Sequence, residues 1–240
     1  IEVWPARTFH EGILLYMPGL DSSILTFLED LKSNNNRNWF IKNKSLFDEI
    51  NLKIKAFASN LSNELDKHDK IESYKVFRIY RDVRFSKNKT PYKTNFGISF
   101  KRKKPDLRGG YYFHLEPNKT FIAAGFWNPN KDDITRVRNE FLNDASEFRK
   151  IINSKSIKSI WGNIIGEKLK TAPRGFSKNE INIDLINMKQ YIFLKEFKDE
   201  NLYSDNLHTQ LSQSFKTIRP FFDYMSDILT TDLNGVSIIE

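Results

Sequence analysis

The stretch VFRIYRDVRFSKNKTPYKTNFGISF, Val76–Phe100, reads as two alternating runs joined by a basic loop that contains Pro91. In the first run Phe77, Ile79, Val83 and Phe85 share one face, with Arg81 as the exception, and Arg78, Tyr80, Asp82 and Arg84 share the other. In the second run Phe96, Ile98 and Phe100 alternate with Asn95, Gly97 and Ser99. A period of two predicts strands, over Val76–Phe85 and about Phe96–Phe100. Arg81 is expected to be buried and paired with an acid or with backbone carbonyls, because an isolated buried charge is prohibitively costly.

Outward from this stretch the alternation continues. Gly109-Gly110 marks a turn, after which Tyr111, Phe113 and Leu115 alternate with Tyr112, His114 and Glu116. Pro117-Asn118-Lys119 is turn chemistry and leads into Thr120–Trp127, so this pair reads as a hairpin. Four strands with short connections imply an antiparallel meander.

The flanks are helical. Asp21 is a good N-cap for a helix burying Ile24, Leu25, Phe27, Leu28 and Leu31, which ends at Ser33-Asn34-Asn35-Asn36. One longer helix is expected from about Asn38 to His68, with Phe47, Ile50, Ile54, Phe57, Leu61 and Leu65 in a single stripe. Asn130 caps a helix with Asp132 and Asp133 in its first turn, and Ser146 caps a short one. Lys155–Phe176 is less regular, Ile181–Lys189 reads as a short helix and Tyr191–Phe197 as a strand. The last helix starts near Asp205, and Pro220 kinks it or starts another. The expected fold is a single α+β domain over residues 20–240, an antiparallel meander with helices on one face. Residues 1–19 read as a leader or extension outside it, because Met17-Pro18-Gly19 looks like a start.

The chain carries +8 overall, and the charge is local. Lys70–Lys104 holds twelve Lys or Arg against Glu72 and Asp82, a balance of +10, so the remainder carries −2. That concentration favours a site or patch over a generally basic surface. Lys101–Lys104 alone reads as a solvated basic loop. With no Cys there is no disulfide framework or thiol nucleophile, which fits a reducing cytoplasm. No run of about 18 apolar residues predicts a membrane span.

The common catalytic signatures are missing: no phosphate-cradling G-x-x-x-x-G-K-[ST] loop, no G-x-G-x-x-G turn and no G-x-S-x-G elbow. The four His, at positions 10, 68, 114 and 208, form no ligand pair, and neither metal nor cofactor is expected. What remains is a basic, aromatic-rich site for a phosphorylated or carboxylated ligand, a nucleotide among them. Arg78, Arg84, Lys89 and Lys93 would neutralise charge, Tyr80, Tyr92 and Tyr112 would orient, and Arg174 would close from its loop. His114 is the one candidate for proton transfer near neutral pH. Two alternatives stay open. The cations and aromatics also suit a nucleic-acid-binding module. Alternatively, a protein-interaction scaffold would use the charges as structural ion pairs.

Four pieces of the chain, LKSNNNRNWFIKNKSLFDE, FRIYRDVRFSKNKTPYKTNFG, GGYYFHLEPNKTFIAAGFWNP and LKTAPRGF, occur in an order that resembles the family called domain of unknown function 2461. Matching positions include Trp39, Arg78, Arg81, Asp82, Arg84, Lys89, Tyr92, Lys93, Gly125, Trp127, Pro173, Arg174 and Gly175. The resemblance implies a single compact domain and carries no established activity. At Ala123-Ala124-Gly125 it leads one to expect more glycine, and the extra methyls would narrow any ligand site there.

Overall fold

The computed structural model describes residues 19–232 and 234–239; the expected leader lies outside the described residues, apart from Gly19. Five strands form one antiparallel sheet in chain order: β1 (Ile71–Val76), β2 (Phe96–Arg102), β3 (Gly110–Leu115), β4 (Thr120–Phe126) and β5 (Tyr191–Phe197). Helices pack on one face, giving a single α+β domain. The contacts define that face: Phe57 meets Phe113, Tyr111 meets Phe215 and Phe222, and Phe193 meets Phe221.

The N-terminal helices follow local chemistry. Asp21 accepts from the Ser23 amide at 2.8 Å and starts α1 (Ser22–Ser33), which buries the five predicted apolar residues. The single helix expected over 38–68 is two: α2 (Arg37–Lys42) and α3 (Lys44–Asp66). The break is Asn43, whose side-chain amide donates to the Trp39 carbonyl at 2.9 Å and so competes with the helical ladder.

The expected first strand needs the larger correction. β1 ends where that strand was to begin, and after the Phe77 amide donates to the Gly97 carbonyl the chain leaves the ladder. Residues 77–95 form a partly zipped loop, held by the Arg81 amide on the Pro91 carbonyl at 2.9 Å and the Lys93 amide on the Ile79 carbonyl at 2.7 Å. The predicted apolar face dissolves accordingly: Ile79 is buried, while Phe85 is 96 % exposed. Local polar pairing takes over, with Asp82 accepting from the Arg84 amide and guanidinium and Asn88 capping Thr90.

Arg81 is half-buried, but its partners are the hydroxyls of Thr90 and Ser86, not an acid or backbone carbonyls. The fully buried arginine is Arg102, in the run read as solvated. It continues the inward series Phe96, Ile98, Phe100 of β2. Its Nε donates to Asp69 Oδ2 at 2.7 Å, its Nη1 donates to the Arg108 carbonyl at 2.9 Å, and its guanidinium lies 4.7 Å from the Phe222 ring centre. Tyr111 also donates to Asp69. Burial alone would raise the Asp69 pKa, but the Arg102 and Tyr111 hydrogen bonds and the Arg102 charge outweigh it and hold it below the ordinary carboxylate value.

After the sheet, Asn130 caps α4 (Lys131–Asn143) on the Asp133 amide at 2.7 Å. Two short helices follow, α5 (Ser146–Ile152) and α6 (Lys155–Trp161), the second inside the segment read as irregular. A single turn, α7 (Ile183–Ile186), precedes β5. A 3-10 turn over Asp199–Tyr203 leads to α8 (Leu207–Thr217) and α9 (Arg219–Thr230), with Pro220 in the first turn of α9, where its missing N–H costs nothing. No helix among the described residues is long and apolar enough to cross a membrane.

Candidate functional site

Strand pairing sets which side chains share the sheet face opposite the helices. Register pairs Gly97 with His114, Ser99 with Tyr112 and Tyr112 with Ala123, so these residues face outward together. Of the two alanines where glycine was expected, Ala123 is on this face, while Ala124 packs in the core.

A cleft of about 480 Å³ opens here, lined by Phe77, Lys93, Ser99, Tyr111, Tyr112 and Trp127. Trp127 meets the Tyr112 ring edge-on at 6.3 Å, and Phe77 lies 6.3 Å from Tyr112 on another side. Lys75 and Lys93 each place an ammonium 5.6 Å from the Phe77 ring centre. Burial pushes the Lys93 pKa down, and the Arg78 charge adds to that. Among the described residues no carboxylate lies within 4.0 Å of Lys75, Arg78 or Lys93. Lys93 also lines an adjoining polar cavity of about 330 Å³ with Lys32, Asn35, Arg81, Asn88 and Thr90.

Beside the cleft runs a chain of three polar groups. The Tyr112 hydroxyl lies 3.3 Å from His114 Nδ1, and His114 Nε2 lies 3.1 Å from Glu116 Oε2. With a neutral imidazole, Nε2–H faces the carboxylate and Nδ1 accepts from the tyrosine. Phe121 stacks on the imidazole at 4.6 Å and fixes its plane. Burial raises the Tyr112 pKa, so its hydroxyl stays protonated at neutral pH. This arrangement holds a protonated, neutral hydroxyl at the cleft edge.

The residues singled out in the sequence therefore separate. Lys93 and Tyr112 line the cleft, with Arg78 close enough to Lys93 for its charge to act on it and His114 behind Tyr112. Tyr92 is only 6 % exposed and stacks on Phe40 at 4.0 Å, so it serves the core. Tyr80 leans on Phe40 and Tyr92 at the base of the loop. Arg84 is exposed and bound to Asp82, and Lys89 donates to the Val83 carbonyl at 3.0 Å. Arg174 is exposed in the segment between α6 and α7 and is not among the residues lining the cleft. Sequence reasoning missed Phe77, Ser99 and Trp127 as cleft residues; the alternation groups Phe77 with Ile79 on an inward face, whereas Val76 pairs with the buried Ile98 and so sets Phe77 outward. The outward alternation of Gly97, Ser99 and Lys101 was the available signal for Ser99.

A cavity of similar volume lies beneath the start of α1, lined by Leu20, Ile24, Phe57 and His208 among others. On its rim Lys53 bonds Asp21 at 3.0 Å, and His208 is 3 % exposed. No group of three His, Asp or Glu among the described residues is arranged to hold a metal ion.

The structure thus defines an α+β domain whose open sheet face carries an aromatic cleft beside cations that have no carboxylate partner among the described residues. Over residues 23–224 the chain matches the family described as conserved hypothetical protein (DUF2461), and it belongs to that family. Comparison with curated proteins and with solved structures gives no match.

Proposed function

We propose that the open-face cleft binds a compact organic anion, phosphorylated or carboxylated, whose flat or apolar body lies among Phe77, Tyr112 and Trp127. The observation that carries this reading is Lys93. It is partly desolvated, lies beside Arg78, and has no carboxylate partner among the described residues. A cation in that position is most stable with an anion beside it, and the aromatic walls favour a ligand with a planar ring. A nucleotide satisfies both demands, its phosphate toward Lys93 and Arg78 and its base in the cleft. Tyr112, held by His114, supplies a neutral donor at the edge.

The test is a titration of the protein with AMP, inorganic phosphate and benzoate, followed by calorimetry and by tryptophan fluorescence. Saturable binding of AMP or benzoate at a stoichiometry of one, tighter than phosphate, is expected. Lys93→Met should weaken it roughly tenfold, the scale of one charge-assisted hydrogen bond. Trp127→Phe should remove the fluorescence change. An absence of saturable binding by all three at millimolar concentration would overturn the reading, as would binding indifferent to Lys93.

A further inference from the structure

The cations that the cleft leaves unused gather at the tip of the 77–95 loop, around a phenylalanine that no other described residue covers. Phe85 is 96 % exposed, with the Arg84 guanidinium 6.0 Å from its ring centre. Lys87 is exposed and forms no ion pair among the described residues, and Lys89 is exposed on the Val83 carbonyl. Tyr80, 46 % exposed, adds a second ring, and this one is rigid because Phe40 and Tyr92 hold it from behind. The loop is itself anchored, by the backbone bonds at Arg81 and Lys93 and by Asn35, whose side chain bonds both the amide and the carbonyl of Tyr92. Within 77–95 there are six Lys or Arg and one acid, Asp82, already bound to Arg84.

We propose that this loop is a docking surface for single-stranded nucleic acid, with bases stacking on Phe85 and Tyr80 and phosphates meeting Arg84, Lys87 and Lys89. The chemistry selects the partner. Cations spaced along one loop match a chain of phosphates, and an exposed aromatic ring among them matches a partner that carries flat apolar faces between its phosphates. A duplex keeps its base faces stacked inside and offers Phe85 only backbone. A bilayer would have to desolvate Arg84, Ser86, Lys87 and Asn88 together with the one phenyl ring, at greater cost than that ring returns. The proposal concerns residues outside the cleft, so it stands or falls separately from the small-anion reading.

The experiment uses fluorescence anisotropy of a labelled oligothymidylate of about fifteen nucleotides, within the reach of one small binding surface. Wild-type protein at low salt should bind it more tightly than a duplex of equal length. The fall of log K with log salt should be steep, about 0.7 for each phosphate neutralised. Phe85→Ala should weaken binding at least about fivefold, with an unchanged salt slope and melting temperature, since stacking carries no charge. Lys87→Gln with Lys89→Gln should lower the slope by about 1.4. The proposal is overturned if wild type does not bind the oligonucleotide, if duplex binds as well, or if Phe85→Ala leaves the affinity unchanged. Phe85-dependent binding to phosphatidylserine vesicles without oligonucleotide binding would overturn it in favour of a membrane surface.

Discussion

The hydroxyl of Tyr112 occupies the space that a side chain at position 97 would need. A Cβ built on Gly97 overlaps that oxygen and crowds the ring carbons at 3.1 and 3.2 Å. The two residues sit on neighbouring strands, Gly97 opposite His114 and Tyr112 two residues before it. Glycine here permits a close approach, which lets the tyrosine lie across β2 and reach His114.

Gly97→Ala should accordingly push the hydroxyl away and break its bond to His114. A loss of about 1–2 kcal/mol in urea unfolding is expected, the scale of an overpacked site. In a Tyr112→Phe background the same substitution should cost clearly less, because the nearest clashing atom is gone. Additive costs in this double-mutant cycle would show that the two positions do not compete for space.

Asp69 and Arg102 are both fully buried and bonded to each other. Removing the acid leaves a buried guanidinium with only the more distant Asp223, at 3.5 Å, as counterion among the described residues, so Asp69→Ala should destabilise by roughly 3–5 kcal/mol. Arg81→Ala should cost about 1–2 kcal/mol, because only two hydroxyls lose a partner. Chemical denaturation of the two variants side by side checks the order. Equal costs would contradict it.

Two histidines at the α3–α8 interface give the fold a pH dependence. Burial lowers the pKa of both His68 and His208. Asp69 opposes it at His68 while Arg219 and Lys216 add to it, and Glu64 and the Phe57 backbone oppose it at His208. The folded state thus takes up these protons at lower pH than the unfolded chain, whose histidines titrate near 6.5. Their contribution is fully present above that value and is lost as pH falls through it toward the lower folded-state pKa. The melting temperature should drop between pH 7.5 and 5.5 or so, and His208→Phe, packing on Phe57, should make the drop shallower. A melting temperature that is flat over this interval would contradict the assignment.

Asn35 acts as a short substitute strand for the basic loop. Its Nδ2 donates to the Tyr92 carbonyl at 3.0 Å, and its Oδ1 accepts from the Tyr92 amide at 3.1 Å. Asn35→Asp keeps the shape but sets a carboxylate oxygen against the carbonyl, so it should destabilise at least as much as Asn35→Ala, about 1–2 kcal/mol. Amide exchange within 77–95 should rise in both. Unchanged exchange would mean that the backbone bonds at Arg81 and Lys93 suffice.

Local order was legible in the chain wherever the deciding forces are local. The Asp21 and Asn130 caps, the alternation of β2 to β4 and the turn at Pro117-Asn118-Lys119 depend on neighbours a few residues away. Even Arg102 was readable, because it extends the series Phe96, Ile98, Phe100 by one step of two. The count of charges in Lys101–Lys104 hid that alternation. Where a side chain diverts the backbone, pattern misleads: Asn43 splits a helix whose apolar stripe runs on without a gap, and Asp82 and Asn88 fold a segment that alternates like a strand.

From its sequence alone this protein was bound to be an antiparallel meander with helices, because alternation and periodicity specify which faces must be buried. The placement of the cations was settled in three dimensions. Lys93 and Arg84 are alike in the chain, both basic and both beside aromatics, yet one ends partly desolvated at an aromatic cleft and the other in solvent on Asp82. The difference is made by Phe77 turning outward after β1, and by residues as distant as Tyr112 and Trp127 closing the cleft around it. A charge acquires its role from the dielectric and the partners around it, and those are supplied by strands that meet only when the sheet has formed.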